Sequence, residues 1–215
     1  MMHIDYFADT VCPWCYIGYR RLRQAIAAIG PGDAAPALSW RSFQLNLGLP
    51  PDGIDRDRYL AARFGGLAAA QRVHAAISRT AAADGLAIDF GRIARVPNTL
   101  DSHRLIRLAA AHGRGSQAIE ALQSSYFSQG RDIGDRATLI DIGESCGLAA
   151  GSIQAHLESP DGTDAVLNDE RDGRAFGIAG VPFLLVNRRY AIAGVQPVEV
   201  LVQVLALGRG DAGEA

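Results

Sequence analysis

The chain has 215 residues, 48% of them hydrophobic, and its 21 basic and 23 acidic side chains leave a formal charge of -2. Such a chain can bury a full core, as one large domain or one domain carrying an insertion, without disulfide staples. The near-neutral balance argues against an electrostatic footprint for nucleic acid or an anionic membrane, and no stretch approaches the about 20 apolar residues of a bilayer span.

Met1-Met2-His3-Ile4-Asp5 lacks the basic segment and apolar run of a secretory signal, so a cytoplasmic location is expected. From Ile4 to Ala8 apolar and polar residues alternate, which predicts a short strand leading through Asp9-Thr10-Val11 to Cys12. From Pro13 the pattern turns helical, with Ile17, Leu22, Ala25, Ile26 and Ile29 as the apolar positions and Gly30-Pro31 as the stop. Leu38 to Leu45, with Trp40 and Phe43, reads as a second strand, completing a strand-helix-strand unit.

Residues 58 to 174 are rich in Ala, Leu, Ile and charge and poor in β-branched runs. Helices are predicted there at 58–64, 67–83, 100–112, 117–129, 136–146, 152–158 and 164–176, with Thr99 and Asp135 as start signals. Phe183-Leu184-Leu185-Val186, Asn187-Arg188-Arg189 and Tyr190-Ala191-Ile192-Ala193 form a strand, turn and strand, hence a β-hairpin. Pro197 opens a last helix with Val198, Leu201, Val202 and Leu205 as its stripe, and the tail from Gly208 is expected to fray. The fold class is α/β, a βαβ…ββα frame with a large all-helical insertion. The frame is assigned to 1–50 and 175–215 and the insertion to 51–174.

Three cysteines in a reducing compartment do not build a structural framework, so Cys12-Pro13-Trp14-Cys15 asks for a metal or redox explanation. Its three-residue spacing at a helix start puts both thiols on one face within disulfide reach. Cys12 would face unpaired amides and the positive end of the helix dipole, which favour thiolate and make it the predicted attacking sulfur. Cys15, one turn in and less exposed, is the predicted resolving sulfur. Pro13 stiffens the loop. Trp14 shapes the rim, either packed on a neighbouring loop or touching substrate. A zinc site would need two further ligands; Cys146 stands alone and His3, His74, His103, His112 and His156 show no short paired spacing, so no metal is expected. Cys146 reads as a small core residue on a helix.

Three stretches carry a resemblance: Asp9-Thr10-Val11-Cys12-Pro13-Trp14-Cys15-Tyr16-Ile17-Gly18, Asn98-Thr99 followed by His103-Arg104, and Gly177-Ile178-Ala179-Gly180-Val181-Pro182-Phe183. Together they resemble the thioredoxin superfamily, and within it the DsbA-like, FrnE-type group that includes 2-hydroxychromene-2-carboxylate isomerases and kappa-class glutathione transferases. The resemblance implies a thioredoxin-like sheet of four or five strands, interrupted by an all-helical domain that covers the active-site face. It implies further that Val181-Pro182 is the cis-proline turn beside the cysteines; lacking an N–H, a proline there leaves the Val181 backbone free to pair with an extended substrate. Asn98, His103 and Arg104 resemble family positions bordering the cleft and are candidate substrate contacts. Phe43-Gln44-Leu45-Asn46 resembles another family segment and adds Phe43, while Gly194-Val195-Gln196-Pro197 resembles the Ser-Gly-Ala-Gln segment with Ala193 replacing its serine.

The expected activity is that of a protein-disulfide oxidoreductase. The Cys12–Cys15 pair serves in place of a bound cofactor, glutathione is a candidate co-substrate, and the partner is a protein or small-molecule thiol or disulfide. Monomer and homodimer both remain open, and the direction of reaction depends on a reduction potential that varies widely across this fold. The alternative is a glutathione-dependent isomerase or kappa-like transferase, whose relatives usually carry serine at the Cys12 position; Cys15 argues against it. A peptide-binding holdase that keeps its thiols incidentally is a third reading, and it would need exposed apolar area.

Overall fold

A computed structural model describes residues 1–30 and 35–211, so Pro31 of the predicted helix stop lies outside the described residues. In chain order the elements begin β1 (His3–Ala8), α1 (Pro13–Ile29), β2 (Ala37–Ser42), β3 (Ile54–Asp55), α2 (Arg56–Phe64), α3 (Leu67–Ala83) and β4 (Arg95–Val96). They continue with α4 (Leu100–Ala111), α5 (Gly115–Phe127), α6 (Arg136–Ser145), α7 (Ala150–Glu158), α8 (Thr163–Ala175), β5 (Phe183–Val186), β6 (Tyr190–Ala193) and α9 (Val198–Asp211). Two compact units result, Met1–Leu45 with Asp169–Ala215, and Asn46–Asn168.

The first unit holds a four-stranded mixed sheet in the order β2-β1-β5-β6. β1 and β2 run parallel, joined by α1, while β5 lies antiparallel to β1 and β6 to β5. Alternation along β1 sends Tyr6 and Phe7 to opposite faces. Tyr6 meets Tyr19 of α1 and Trp40 of β2, with ring centroids 5.9 Å away in both cases. Phe7 joins Phe43, Ile178 and Leu185 in a core cluster on the other face. β2 ends at Ser42, short of the predicted Leu45. Phe43 N still donates to Ala8 O, but Leu45 N turns to the Asp9 carboxylate at 2.7 Å and leaves the ladder.

The frayed tail expected from Gly208 is corrected for residues 208–211, which continue α9. Asn187 Nδ2 donates to Gly208 O at 2.7 Å, and Arg209 donates to Ile29 O and Gly30 O at 2.8 and 2.7 Å, so tertiary bonds hold this end. Residues 212–215 lie outside the described residues.

The second unit is built from helices, whose interior includes the fully buried Leu105, Leu122, Leu139 and Ile153. Asp135 caps α6 as expected, accepting from Thr138 N at 2.8 Å. Thr99 stands at the N-cap of α4 without a side-chain bond to it, and Asn98 Oδ1 accepts from Leu100 N instead. The two-residue β3–β4 ladder and a 3-10 turn at Phe90–Arg92 were not anticipated, being too short to carry a period. The unit junctions fall at 45/46 and 168/169, against the expected 50/51 and 174/175. The later half of α8 groups with the sheet because Asp169 binds Arg41 and Ser42 N while the Arg174 guanidinium lies 4.9 Å over the Phe43 ring. Among the described residues no helix is long and apolar enough to cross a membrane.

Candidate active site

β1 delivers the chain into a tight approach to α1. The Asp9 carboxylate, fully buried, accepts from Leu45 N, and the Asp9 carbonyl accepts from Cys12 N at 3.3 Å. Cys12 is the N-cap of α1, with extended φ and ψ of -89° and 112°, and Pro13 follows at the first helical position where no amide is missed. The Cys12 sulfur accepts from Cys15 N at 3.2 Å, doing for this helix what a serine or aspartate oxygen does at other N-termini. A helix N-terminus with an amide aimed at sulfur interacts more favourably with a thiolate than with a thiol.

The second cysteine meets the opposite surroundings. Cys15 is 0% exposed, and burial, followed by its hydrogen bond with Cys12 and the charge there, pushes its thiol well above the ordinary range. Both cysteines are free thiols; Cys12 is 3% exposed and the neighbouring Trp14 37%. The pair is therefore asymmetric, one sulfur holding a backbone amide at the mouth of the helix and the other sealed, its thiol driven up by burial.

Across the chain, the Val181–Pro182 bond is cis. The Cys12 thiol donates to Val181 O at 3.7 Å, and Gly194 N donates to Pro182 O at 2.8 Å. Cys12, Cys15, Val181 and Pro182 thus come together within the first unit. Two residues that sequence reasoning did not assign join them. Tyr6 donates from its hydroxyl to Cys15 O at 2.9 Å, and a Cβ on Gly18 would fall 2.5 Å from that hydroxyl and 3.3 Å from Pro182 Cγ. The available signal was a tyrosine at an inward-facing strand position, since a buried phenol needs an acceptor.

The remaining candidates have other surroundings. Phe43 is buried in the cluster with Phe7, Ile178 and Leu185, the position of a core residue. Asn98, His103 and Arg104 belong to the second unit. Asn98 donates to Leu49 O at 2.9 Å while its Oδ1 caps α4. His103 is fully buried. Arg104 pairs with Asp101 and donates to the carbonyls of Asp161, Leu157, His156 and Ser159, which makes it a clamp on the end of α7. Cys146, the C-cap of α6, is buried. Among the described residues no three His, Cys, Asp or Glu side chains gather as a metal ion would require.

The DSBA-like thioredoxin domain family matches residues 3–206. The crystal structure of a "probable DsbA oxidoreductase" from Streptomyces coelicolor is similar at a TM-score of 0.89 and 33% identity, covering 98% of this chain and 91% of that one. A 2-hydroxychromene-2-carboxylate isomerase shares the fold at a TM-score of 0.72 and 14% identity, with 99% of each chain covered. The cytosolic disulfide reductase DsbM from Pseudomonas aeruginosa, solved with glutathione, shares it at 0.63 and 20% identity, covering 99% of this chain and 98% of that one. A match over almost the whole length, on a sheet that leads directly into a helix capped by cysteine, shows that the chain belongs to the DSBA-like thioredoxin family.

Proposed function

We propose that the protein is a thiol–disulfide oxidoreductase working by dithiol–disulfide exchange at Cys12-Pro13-Trp14-Cys15. The observation that carries this is the asymmetry of the pair: Cys12 Sγ takes the Cys15 amide at the mouth of α1, and the Cys15 thiol lies fully buried one turn below. In the reductive direction the Cys12 thiolate attacks a substrate disulfide, forming the mixed disulfide and releasing one substrate thiolate. Cys15 then loses its proton to solvent and attacks the Cys12 sulfur, forming the Cys12–Cys15 disulfide and releasing the second thiolate. The oxidative direction reverses both steps. With only 3% of Cys12 exposed, the exchange includes a local opening that uncovers its sulfur.

Pro13 and Pro182 support the site by shaping the two loops, and Val181 offers its backbone to an extended substrate. The fold shared with a cytosolic disulfide reductase solved with glutathione supports glutathione as co-substrate and a cytoplasmic location. Likeness to an isomerase fold keeps a glutathione-dependent isomerase or transferase as the second reading, but a second thiol beneath the first has no part in that chemistry.

Insulin reduction with dithiothreitol, native against Cys12→Ser, gives the direct test: acceleration should be lost in the variant. Trapping with Cys15→Ala should leave mixed disulfides with thiol proteins on Cys12. Recovery of glutathione alone would favour the isomerase or transferase, and equal insulin rates for native and Cys12→Ser would sink the exchange reading.

A further inference from the structure

We propose that Tyr6 is a positioning residue for Cys15, its hydroxyl holding the turn of α1 that carries the resolving sulfur; this rests on the exchange reading above. The helical carbonyl of Cys15 receives a second donor from outside the helix, Tyr6 O–H at 2.9 Å. That donor is itself fixed. Tyr6 sits in a central strand, paired with Trp40 on one side and Leu184 on the other, and its ring packs against Tyr19 and Trp40. Full burial raises the phenol well above its ordinary range, with the charges of Cys15, Cys12 and Tyr19 adding to the effect, so the hydroxyl remains a donor through every step of exchange.

Gly18 is the notch that admits the hydroxyl. Any Cβ there would stand 2.5 Å from Tyr6 Oη and 3.3 Å from Pro182 Cγ. Tyr6 Oη and the Pro182 ring therefore both border the space left open at Gly18, one turn beyond Cys15, and Val181, next to that ring, receives the Cys12 thiol. Tyr6 thus sets Cys15 against the loop that faces Cys12.

The two chemical steps depend on this bond unequally. Attack by Cys12 depends on the approach of substrate and on the Cys15 amide. Attack by Cys15 is intramolecular and needs the three sulfurs in line, a geometry whose rate falls steeply with small misplacement. Removing the hydroxyl should slow the second step and spare the first.

The aromatic disulfide 5,5′-dithiobis(2-nitrobenzoate) separates the two, because each step releases one coloured aryl thiolate. Cys12 attacks the reagent, forming an aryl mixed disulfide with the first thiolate leaving. Cys15 then displaces the second, forming the Cys12–Cys15 disulfide, with its own proton going to solvent. In reduced protein carrying Cys146→Ala, the first release is first order in reagent and the second is independent of it. Tyr6→Phe should slow the second release about fivefold, the rate equivalent of one net hydrogen bond, and leave the first within about twofold.

A purely structural role would lower the melting temperature without changing the ratio of the two rates, and an unchanged ratio overturns the proposal. Gly18→Ala, whose methyl presses on the same hydroxyl, should shift the ratio in the same direction. It decides the matter by the same criterion if Tyr6→Phe does not fold. Failure of the exchange reading looks different: the native protein would then release no second thiolate, and Cys15→Ala would match it.

Discussion

Cys12 and Cys15 occupy the same turn of α1 yet differ in everything that governs thiol reactivity. Cys12 retains a small open surface and an amide on its sulfur, whereas Cys15 is sealed and its thiol is driven up by burial. Iodoacetamide at neutral pH should therefore modify Cys12 well before Cys15. Mass spectrometry of the native protein after brief alkylation reads the order, and labelling of Cys15 at the rate of Cys12 would contradict the asymmetry. Arg104 illustrates the opposite case, a charged residue committed to structure. Its guanidinium is buried, paired with Asp101 and surrounded by carbonyls from the end of α7 and the loop after it. Arg104→Met leaves those carbonyl acceptors unmatched and Asp101 with only the longer Arg136 contact at 3.8 Å, and should lower unfolding free energy by about 3 kcal/mol in urea titrations; a loss within error of zero would mean that water replaces the clamp.

At the scale of elements, periodicity made most of the structure legible before any coordinates. The 67–83 helix and both hairpin strands keep their predicted limits, because each ends where its own residues change character. The misses share a cause. β2 stops early because the Asp9 carboxylate captures Leu45 N, and α9 outlasts Gly208 because Asn187 and Arg209 bind across the fold. Such partners are distant in sequence and leave no local pattern. The same holds for the site: the cysteine spacing announced itself, whereas Tyr6 acts on a backbone carbonyl, an acceptor every residue carries. Asn187 is an element-level test of this distant bonding. It holds a positive φ of 52° in the hairpin turn, and its side chain accepts from His3 N at 2.8 Å while donating to Gly208 O. Alanine would lose both bonds and the tolerance of the left-handed region. Asn187→Ala should cost about 2 kcal/mol, seen as a lower urea midpoint, with amide exchange fastest at the end of α9.

On the scale of the whole molecule, two histidines of the second unit should make the protein less stable in mild acid. His74 stacks on Phe90 with ring centroids 4.1 Å apart, and its Nδ1 lies 3.3 Å from the Arg56 guanidinium. Burial, and then the Arg56 charge, holds its imidazole below the ordinary value of 6.5. Burial and then Arg104 do the same to His156. A folded-state pKa below the unfolded one means that the unfolded chain binds the proton first as pH falls. Stability is therefore full above about 6.5, declines between that value and the lowered folded values, and levels off below them. Asp135, held low mainly by the Thr138 amide it caps, loses its contribution only in stronger acid, below the carboxylate range. The interval from pH 7 to pH 5 thus isolates the histidines. The melting temperature should fall across it in the native protein. In the double variant His74→Phe, His156→Gln the fall should be much smaller, because Phe keeps the stack on Phe90 and neither replacement titrates. An equal fall in both proteins would assign the acid sensitivity to other groups and leave the two half-buried imidazoles without a thermodynamic role.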